Sequence, residues 1–357
     1  MDILSSDDPF AVLKTDRPIF SPAAAARVLN ELYGRDGDLD PLDSERDLNY
    51  RLTERDGRNS VLKFANSAEP APITAYQTEA LVHVARCAPE LPVPRVIPAT
   101  TGALVTDVAA EDGRSHSVRL FSWIDGVPID TVTRKPDIVQ QLGTIHARLG
   151  RALQGFDHAA SAYSLLWDLK NATSLEKLLV DIDDVDLRRL CKHRLDRFRT
   201  AVLPKLSSVR WQTIHNDLNP GNVLVCSDSG AVAGIIDFGD LVRSPLVVDV
   251  AVACAYLVSD STDPLVDVES FVAAYSSVTF LTESEIDILF DLILTRATMT
   301  ILISRWRAAR YPDNREYILS SEAEARQMLE SLNSKDVAIV TERFRHANSA
   351  GKINGVI

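Results

Sequence analysis

Cysteine is scarce in this sequence, and its placement argues against a disulfide-stapled or zinc-bound fold. Only four cysteines occur among 357 residues, at positions 87, 191, 226 and 254. They are far apart, and the sequence has no C-x-x-C pair and no pair of histidines at metal-ligand spacing. We therefore expect four reduced and mostly buried thiols.

Long hydrophobic runs are also missing. The longest apolar stretches are interrupted by Asp249 and, further along, by Asp287, Asp291 and Arg296. They fall well short of the ~18 uncharged residues that a membrane-spanning helix needs. The first ten residues, MDILSSDDPF, are acidic where a signal peptide would be basic. The sequence thus predicts a cytoplasmic protein with no membrane partner.

Positive charge is in deficit. Lysine and arginine total 38 against 50 aspartate and glutamate, which gives a formal net charge of −12. A chain with this balance is a poor candidate for binding nucleic acid, although a local basic site for a small anion such as a nucleotide is compatible with it. Hydrophobic residues make up 46% and charged residues 25%, as in ordinary globular proteins. The length predicts about two lobes, and the sequence makes no prediction of oligomeric state.

The pattern of periodicity changes near Gly126. Before it, we expect a helix over 21–34, a hairpin around Asp56-Gly57, a helix over 70–88 and a second hairpin ending near 123. After it, helical patterns dominate, over 137–154, 168–180, 185–203, 245–258, 266–277 and 283–310. The predicted fold class is therefore α+β, in two lobes.

The predicted division has three parts. An N-terminal extension covers 1–20, a small β-rich lobe covers 21–124, and a larger, mainly helical lobe covers 125–357. We expect weak order at both ends, over 1–20 and 347–357.

The most informative stretch is IHNDLNPGNVLV at 214–225, which is followed by GIIDFGD at 234–240. It places Asp217 and Asn222 on a loop and Asp237 directly after a strand. The segment DLNPG taken alone would indicate only a turn, because its residues are typical of turns. A turn does not account for the complete pattern H-x-D-x-x-x-x-N followed by D-F-G, which is highly specific.

This set of residue types suits phosphoryl transfer. One carboxylate can accept the proton of an attacking hydroxyl group. An amide oxygen and a second carboxylate can hold Mg²⁺ against a triphosphate, whose charge must be neutralised.

These motifs resemble the aminoglycoside phosphotransferase and choline kinase superfamily of small-molecule kinases, which has a bilobal, protein-kinase-like fold. Within it the resemblance is greatest to the hydroxylysine kinases, which are nucleotide-dependent kinases of 5-hydroxylysine. It covers roughly 21–345. The resembling stretches are VLKF at 61–64, RLFSWIDGVPI at 119–129, LLWDLKN at 165–171, the two stretches given above, and YPDNREYIL at 311–319.

The resemblance implies roles for particular residues. Asp217 would be the catalytic base, and Asn222 and Asp237 would be Mg²⁺ ligands. Lys63 would contact the α- and β-phosphates of ATP or GTP, with Glu79 paired to it from the following helix. Three further residues, Ser122, Trp123 and Ile124, would meet the nucleotide base through main-chain groups of the hinge.

The sequence also departs from the protein-kinase pattern. The expected phosphate-covering loop, DSERDLN at 43–49, lacks G-x-G-x-x-G, so its contacts with the nucleotide are unassigned. No A-P-E stretch follows D-F-G, which argues against a phosphorylation-switched activation loop and hence against a protein kinase.

The acceptor site is less well marked. Asp240, Arg296 and Arg305 are the candidate residues. The two arginines fit salt bridges at the surface and the binding of a substrate carboxylate about equally well. His215 is expected to support the loop through a hydrogen bond to the backbone. We expect the carboxylate of Asp249 to brace the catalytic loop, because a buried charge must be paired or hydrogen-bonded.

Together the residues predict a kinase that uses Mg²⁺ and ATP or GTP. The resemblance implies that its acceptor is a hydroxyl group of a small, amino-bearing metabolite such as hydroxylysine or a related hydroxy amino acid. Two alternatives stay open, an aminoglycoside antibiotic kinase and a nucleotide-binding pseudokinase without activity.

Overall fold

Two hydrophobic cores organise the residues that the computed structural model describes, which are 10–110, 112–133 and 135–354. The smaller core lies between Phe20 and Leu120 in the sequence. The larger core gathers side chains from Tyr76 to Phe344 and also includes Phe10. The predicted α+β class is confirmed, with an antiparallel sheet in the N-terminal part and a mainly helical remainder.

An antiparallel sheet and three helices form the N-terminal part. Its elements are α1 (Ala11–Lys14), α2 (Pro22–Tyr33), β1 (Gly37–Leu42), β2 (Leu48–Glu54), β3 (Asn59–Phe64), α3 (Ala71–Cys87), β4 (Val96–Ile97), β5 (Thr106–Ala109) and β6 (Ser115–Ser122). The strand order is β1-β2-β3-β6-β4, and β5 pairs with β6. Helix α3 packs four of its side chains into the larger core, those of Tyr76, Ala80, Leu81 and Val84.

Local signals explain these elements. The Ser21 side chain accepts a hydrogen bond from the main chain of Ala24, and Gly34 ends α2 with φ of 61°. Gly57, with φ of 84°, allows the turn between β2 and β3. In β3, Leu62 and Phe64 are buried in the smaller core, and Lys63 points to the opposite face of the sheet.

Helices dominate the C-terminal part. Its elements are β7 (Val127–Pro128), α4 (Pro136–Ala152), α5 (Val185–Arg197), β8 (Trp211–Ile214), β9 (Val223–Val225), β10 (Val232–Ile235), β11 (Val242–Pro245), α6 (Leu246–Ala255), α7 (Val266–Val278), α8 (Glu283–Arg310), α9 (Arg315–Asn333) and α10 (Val337–Asn354). Two small antiparallel sheets, ordered β10-β9-β7 and β11-β8, lie among the helices.

Helix α8 is the long central helix and begins at a capping box. The Thr282 side chain accepts from the main-chain N–H of Glu285, and the Glu285 carboxylate accepts from the main-chain N–H of Thr282. Most of its residues from Glu285 to Ser304 are buried, which places both charged and apolar side chains in the interior.

Two of the predicted helices differ from the structure. Residues Leu169–Asp181 form 3₁₀ turns rather than an α-helix, because Leu169, Ala172, Leu175 and Leu178 bury one face at three-residue steps. Helix α5 ends at Arg197 and continues as a π-helical turn and then a 3₁₀ segment.

The described residues of the two ends are also better ordered than expected. Asn348 of α10 is buried and bonds to Ser276 and Leu281, and Phe10 packs on the ring of Trp306. The rest of these ends, 1–9 and 355–357, lies outside the described residues. Among the described helices, none combines the length and the apolar character that crossing a membrane requires.

Candidate active site

The catalytic loop is held between two small sheets. It runs from His215, at the end of β8, to Asn222, at the start of β9. The main-chain N–H of Ile236, which follows β10, donates to the carbonyl oxygen of Asn222 at 2.9 Å. This bond places Asp237 beside the loop. The predicted meeting of the loop and the D-F-G segment is therefore what the structure shows.

Two residues at this meeting point have unusual backbones. Asn216 has φ of 65° and Asp237 has φ of 57°, and they are the two non-glycine residues with positive φ in the described ranges. Such a conformation is disfavoured for a residue with a side chain and persists only when its surroundings enforce it.

Asp249 of α6 supplies that enforcement at Asn216. Its carboxylate accepts from the main-chain N–H groups of His215 at 3.3 Å and Asn216 at 2.7 Å. It also accepts from Nε2 of His146 at 2.8 Å, a residue of α4 that the sequence did not single out. Burial alone would raise the pKa of Asp249, but His146 and these hydrogen bonds hold it below its usual value. The predicted bracing role is confirmed.

His215 also has the structural role that was predicted. Its Nε2 lies 3.1 Å from the carbonyl oxygen of Ile236, and its Nδ1 accepts from the main chain of Asp217 at 3.3 Å. Its ring meets that of Phe238 edge-on at 4.8 Å between centroids. The histidine thereby ties the loop to the D-F-G segment on both sides.

Asp217 lies at the centre of the site. One of its oxygens, Oδ1, lies 3.2 Å from Nη2 of Arg296, and the other accepts from the amides of Asn219 at 3.0 Å and Asn222 at 2.8 Å. Burial and the nearby carboxylate of Asp240 raise the pKa of Asp217, and Arg296 only partly offsets them. This carboxylate is therefore fixed in orientation and a stronger base than an ordinary aspartate.

Asn222 and Asp237 together suit a divalent cation. The Asn222 Nδ2 donates to both Oδ2 and the carbonyl oxygen of Asp217, so Oδ1 is directed away from these acceptors. Lys63 holds the pKa of Asp237 well below its usual range, so this carboxylate is ionised. The described residues contain no group of three or more His, Cys, Asp or Glu that could form a complete metal cage. A pair of oxygen ligands is nevertheless what Mg²⁺ uses when phosphates complete its coordination.

Lys63 faces two carboxylates. Its Nζ lies 2.8 Å from Oδ2 of Asp47 and 3.7 Å from Oδ1 of Asp237. Burial opposes the charge, but these neighbours raise the pKa of Lys63 above its usual value. Asp47 belongs to the loop between β1 and β2 and was not predicted as a partner, because no local motif marks it.

Glu79 does not pair with Lys63, so that prediction was wrong. Its side chain is 56% exposed and lies 3.8 Å from Nε2 of His158. The α3 residue that faces the site is Gln77, which donates to the carbonyl oxygen of Gly239 at 2.8 Å and accepts from Arg119 at 2.9 Å. Two residues along a helix are separated by about 200° of rotation, so Glu79 must point elsewhere.

The three predicted hinge residues, Ser122, Trp123 and Ile124, differ in the hydrogen bonds of their main chains. The N–H of Ser122 donates to the carbonyl oxygen of Arg95 at 2.8 Å, so this donor is already occupied. No main-chain hydrogen bond joins Trp123 or Ile124 to another residue of the described ranges. Trp123 is covered on one face by the guanidinium of Arg51, 4.7 Å from the ring centroid. Trp123 and Ile124 thus keep main-chain groups that have no main-chain partner in the described residues.

The three acceptor candidates have separate environments. Arg296 is 4% exposed, so its interpretation as a surface salt bridge was wrong. It contacts Asp217 and lies over the ring of Trp167 at 4.8 Å. Asp240 is buried, with its Oδ1 at 2.8 Å from Nη2 of Arg46.

Arg305 is engaged away from these contacts. Its Nη2 lies 2.9 Å from a carboxylate oxygen of Glu322 in α9, which matches the salt-bridge interpretation. Nine residues separate it from Arg296, so their Cα atoms are about 13.5 Å apart along α8. The structure does not bring Arg305 to Asp217.

The family of the chain follows from a comparison of its sequence with known families. The profile of the "Phosphotransferase enzyme family" matches residues 38–282, a span that contains Lys63, the catalytic loop and Asp240. The chain belongs to this family. The resemblance drawn from the motifs is thereby confirmed.

Individual relatives agree with this assignment. Hydroxylysine kinase of Mus musculus is 27% identical over 325 residues, covering 85% of this chain and 86% of the relative. Hydroxylysine kinase of Xenopus laevis is 25% identical over 352 residues, covering 92% and 94%. The family member described here is therefore a small-molecule kinase, a phosphotransferase that acts on a hydroxyl group.

Solved structures share the fold. An amicoumacin kinase in complex with AMP-PNP, Ca²⁺ and Ami superposes with a TM-score of 0.69 at 14% identity, over 90% of this chain and 97% of that one. A microcompartment-associated aminopropanol kinase gives 0.64 at 20% identity, over 87% and 98%. The protein-kinase-like fold is confirmed.

Proposed function

We propose that this kinase transfers the γ-phosphoryl group of ATP or GTP, with Mg²⁺, to a hydroxyl group of a small amino-bearing metabolite. The acceptor class is 5-hydroxylysine or a related hydroxy amino acid, as the similarity to hydroxylysine kinases suggests. The observation that carries the proposal is the position of Asp217. Its carboxylate is held on both oxygens beside Asn222 and the D-F-G segment.

The reaction is an in-line displacement. The acceptor oxygen forms a bond to the γ-phosphorus, and the bond from that phosphorus to the β–γ bridging oxygen breaks. The nucleoside diphosphate leaves with the electron pair of the broken bond, and the acceptor proton passes to the Asp217 carboxylate. The contacts from Asn219, Asn222 and Arg296 fix this carboxylate. Positioning accounts for much of the rate in phosphoryl transfer.

The donor side uses the remaining residues. Asn222, through Oδ1, and Asp237 would hold Mg²⁺, which when bound neutralises charge on the terminal phosphates. Lys63 would bind the α- and β-phosphates, exchanging its present contact with Asp47 for phosphate oxygens. Trp123 and Ile124 would meet the base through the main chain.

The charge of the acceptor site favours an amino acid over an aminoglycoside. A polycationic drug is best held by acidic groups, whereas α8 presents the buried guanidinium of Arg296 at the catalytic carboxylate. The net charge of −12 still attracts the amino group of an amino acid. The retention of Lys63, Asp217, Asn222 and Asp237 together disfavours an inactive pseudokinase.

A coupled assay of nucleoside diphosphate release tests the proposal. ATP and GTP are each assayed with 5-hydroxylysine, other hydroxy amino acids, choline and kanamycin-type drugs. We expect release that depends on a hydroxy amino acid and that Asp217→Ala lowers by ~10²–10⁴-fold. Asp228→Ala, an exposed aspartate in the turn between β9 and β10, is the matched control and should leave the rate unchanged.

Two results would contradict the proposal. One is release stimulated only by choline or the drugs, which would reassign the acceptor. The other is an Asp217→Ala variant as active as the wild type, which would remove the proposed base.

A further inference from the structure

The phosphate-covering loop carries an arginine that the family motifs do not assign. Residues 43–47, DSERD, connect β1 and β2 and contain no glycine. Loops that cradle phosphates through backbone N–H groups are usually rich in glycine, because the backbone must approach the anion closely. In a loop without glycine, we expect side chains to supply most of any contact with phosphates.

Three of the four charged side chains of this loop reach across the site. Glu45 forms an ion pair with Arg307 of α8. Arg46 lies against Asp240, and Asp47 lies against Lys63. The loop is therefore attached to the D-F-G segment, to the phosphate-binding lysine and to the central helix.

The backbone under Arg46 is fixed as well. Asn66 is buried, and its Nδ2 donates to the carbonyl oxygen of Arg46 at 3.1 Å. The main-chain N–H of Asn66 donates to Asp47 at 2.9 Å. Arg46 thus projects from an anchored position towards Asp240.

The guanidinium of Arg46 is close to the proposed metal ligand. A Cβ placed on Gly239 would lie 3.0 Å from Oδ1 of Asp237 and 3.1 Å from Nη2 of Arg46, so these two atoms lie within about 6 Å of each other. Arg46 and Lys63 thus both contact the D-F-G segment and the residue after it, Lys63 at Asp237 and Arg46 at Asp240.

Asp240, the partner of Arg46, has an oxygen atom that accepts no hydrogen bond from the part of the chain that the structure describes. Nη2 of Arg46 is 2.8 Å from Oδ1 of Asp240, yet this buried oxygen has no hydrogen-bond donor of suitable geometry in the described residues. The two groups thus form a close ion pair rather than an aligned hydrogen bond. A phosphate group, with more charge and more acceptor oxygens, can compete for the same guanidinium.

We propose that Arg46 binds the γ-phosphoryl group of the nucleotide and stabilises it during transfer. This inference rests on the proposed function. Arg46 takes the place that glycine-rich backbone has in other nucleotide-covering loops, and Asp240 holds the guanidinium ready until the nucleotide enters. Positively charged groups at the γ-phosphoryl oxygens stabilise the charge on these oxygens in the transition state.

Nucleotide binding tests this inference without any acceptor. The affinities of β,γ-imido-ATP and ADP, and of the matching guanine nucleotides, are measured with Mg²⁺ by titration calorimetry. We expect Arg46→Met to weaken binding of the triphosphate analogue by ~10–100-fold, the value of a charge-assisted hydrogen bond, and that of the diphosphate by about twofold at most. Arg55→Met, at an arginine whose side chain is 91% exposed, is the control and should leave both affinities unchanged.

A second variant guards against misfolding. Arg46→Lys keeps a positive charge beside Asp240 but lacks the planar fork, and it should lose part of the triphosphate preference. A purely structural role predicts that both variants lose triphosphate and diphosphate affinity equally, and this result would overturn the inference. Unchanged triphosphate preference in both variants would overturn it too while leaving the proposed function intact. A wild type that binds no nucleotide would overturn both.

Discussion

Asp249 offers a sharp test of how the catalytic loop is built. This carboxylate is 3% exposed and accepts three hydrogen bonds, two of them from the loop backbone. In Asp249→Asn the amide keeps one accepting oxygen, and its NH₂ group must face donors. His146 can change tautomer and accept a hydrogen bond from this NH₂ group. A backbone N–H of His215 or Asn216 can only donate, so the one that faces the NH₂ group loses its acceptor.

The size of the effect follows from that lost acceptor. A buried N–H left without a partner costs about 1–3 kcal/mol. Asp249→Asn should therefore lower the free energy of unfolding by about that amount. Without the hydrogen bond from its main-chain N–H to Asp249, Asn216 should relax from its positive φ to a more favourable conformation. This change should shift the next residue, Asp217. A displacement of about 1 Å at a reacting group can cost ~10²-fold in rate, so we expect kcat to fall by at least ~10-fold.

Urea unfolding and steady-state kinetics measure the two effects. The matched control is Val250→Ala, at the next residue of α6, which is fully buried. Removing its methyl groups should cost about 2 kcal/mol without changing kcat at a temperature where both variants are folded. Equal stability losses with an unchanged kcat for Asp249→Asn would refute the bracing role.

The contribution of Asp249 to the free energy of unfolding should also depend on pH. The pKa of Asp249 is lower in the folded protein than its ordinary value near 4. The carboxylate therefore contributes stability that is fully present above about pH 4 and is lost as the pH falls through the folded pKa. The difference in unfolding free energy between wild type and Asp249→Asn should shrink in acid.

Three further variants extend these tests. Glu79→Gln should leave the nucleotide Kd and kcat within about twofold of wild type, because the Glu79 side chain is exposed and does not contact Lys63. A large rise in the nucleotide Kd would instead support an ion pair between Glu79 and Lys63. Arg296→Met should lower kcat by ~10-fold or more while leaving the nucleotide Kd unchanged, since it removes a contact of Asp217 that the donor side does not share; an unaltered kcat would contradict this. Thr282→Ala should lower the free energy of unfolding by about 1 kcal/mol with unchanged kinetics, because it removes one half of the capping box of α8, and a stability equal to wild type would argue against that cap.

Local signals in the sequence explain what could be predicted. The start of α8 follows from its capping box, the β2–β3 hairpin from Asp-Gly, and the catalytic loop from the fixed spacing of Asp217, Asn222 and Asp237. Each depends on residues that are close in the chain. The bracing by Asp249 was also predictable, since a carboxylate in an otherwise apolar helix needs buried partners.

Contacts between distant segments could not be predicted in this way. The rotation of α3 against the sheet decides that Gln77 rather than Glu79 faces the site, and no local pattern encodes that angle. The contacts of Arg46 and Asp47 join a loop without a motif to residues far along the chain.

The proposed reaction of this chain is phosphorylation of a hydroxy amino acid, with Asp217 as the base. ³¹P NMR of a reaction containing 5-hydroxylysine, Mg²⁺ and ATP or GTP tests it most directly. With the wild-type enzyme we expect a new phosphate monoester resonance that grows as the γ-phosphate signal declines. With Asp217→Ala we expect no such resonance over the same time. Inorganic phosphate as the sole new product, or a monoester formed equally by both enzymes, would contradict it.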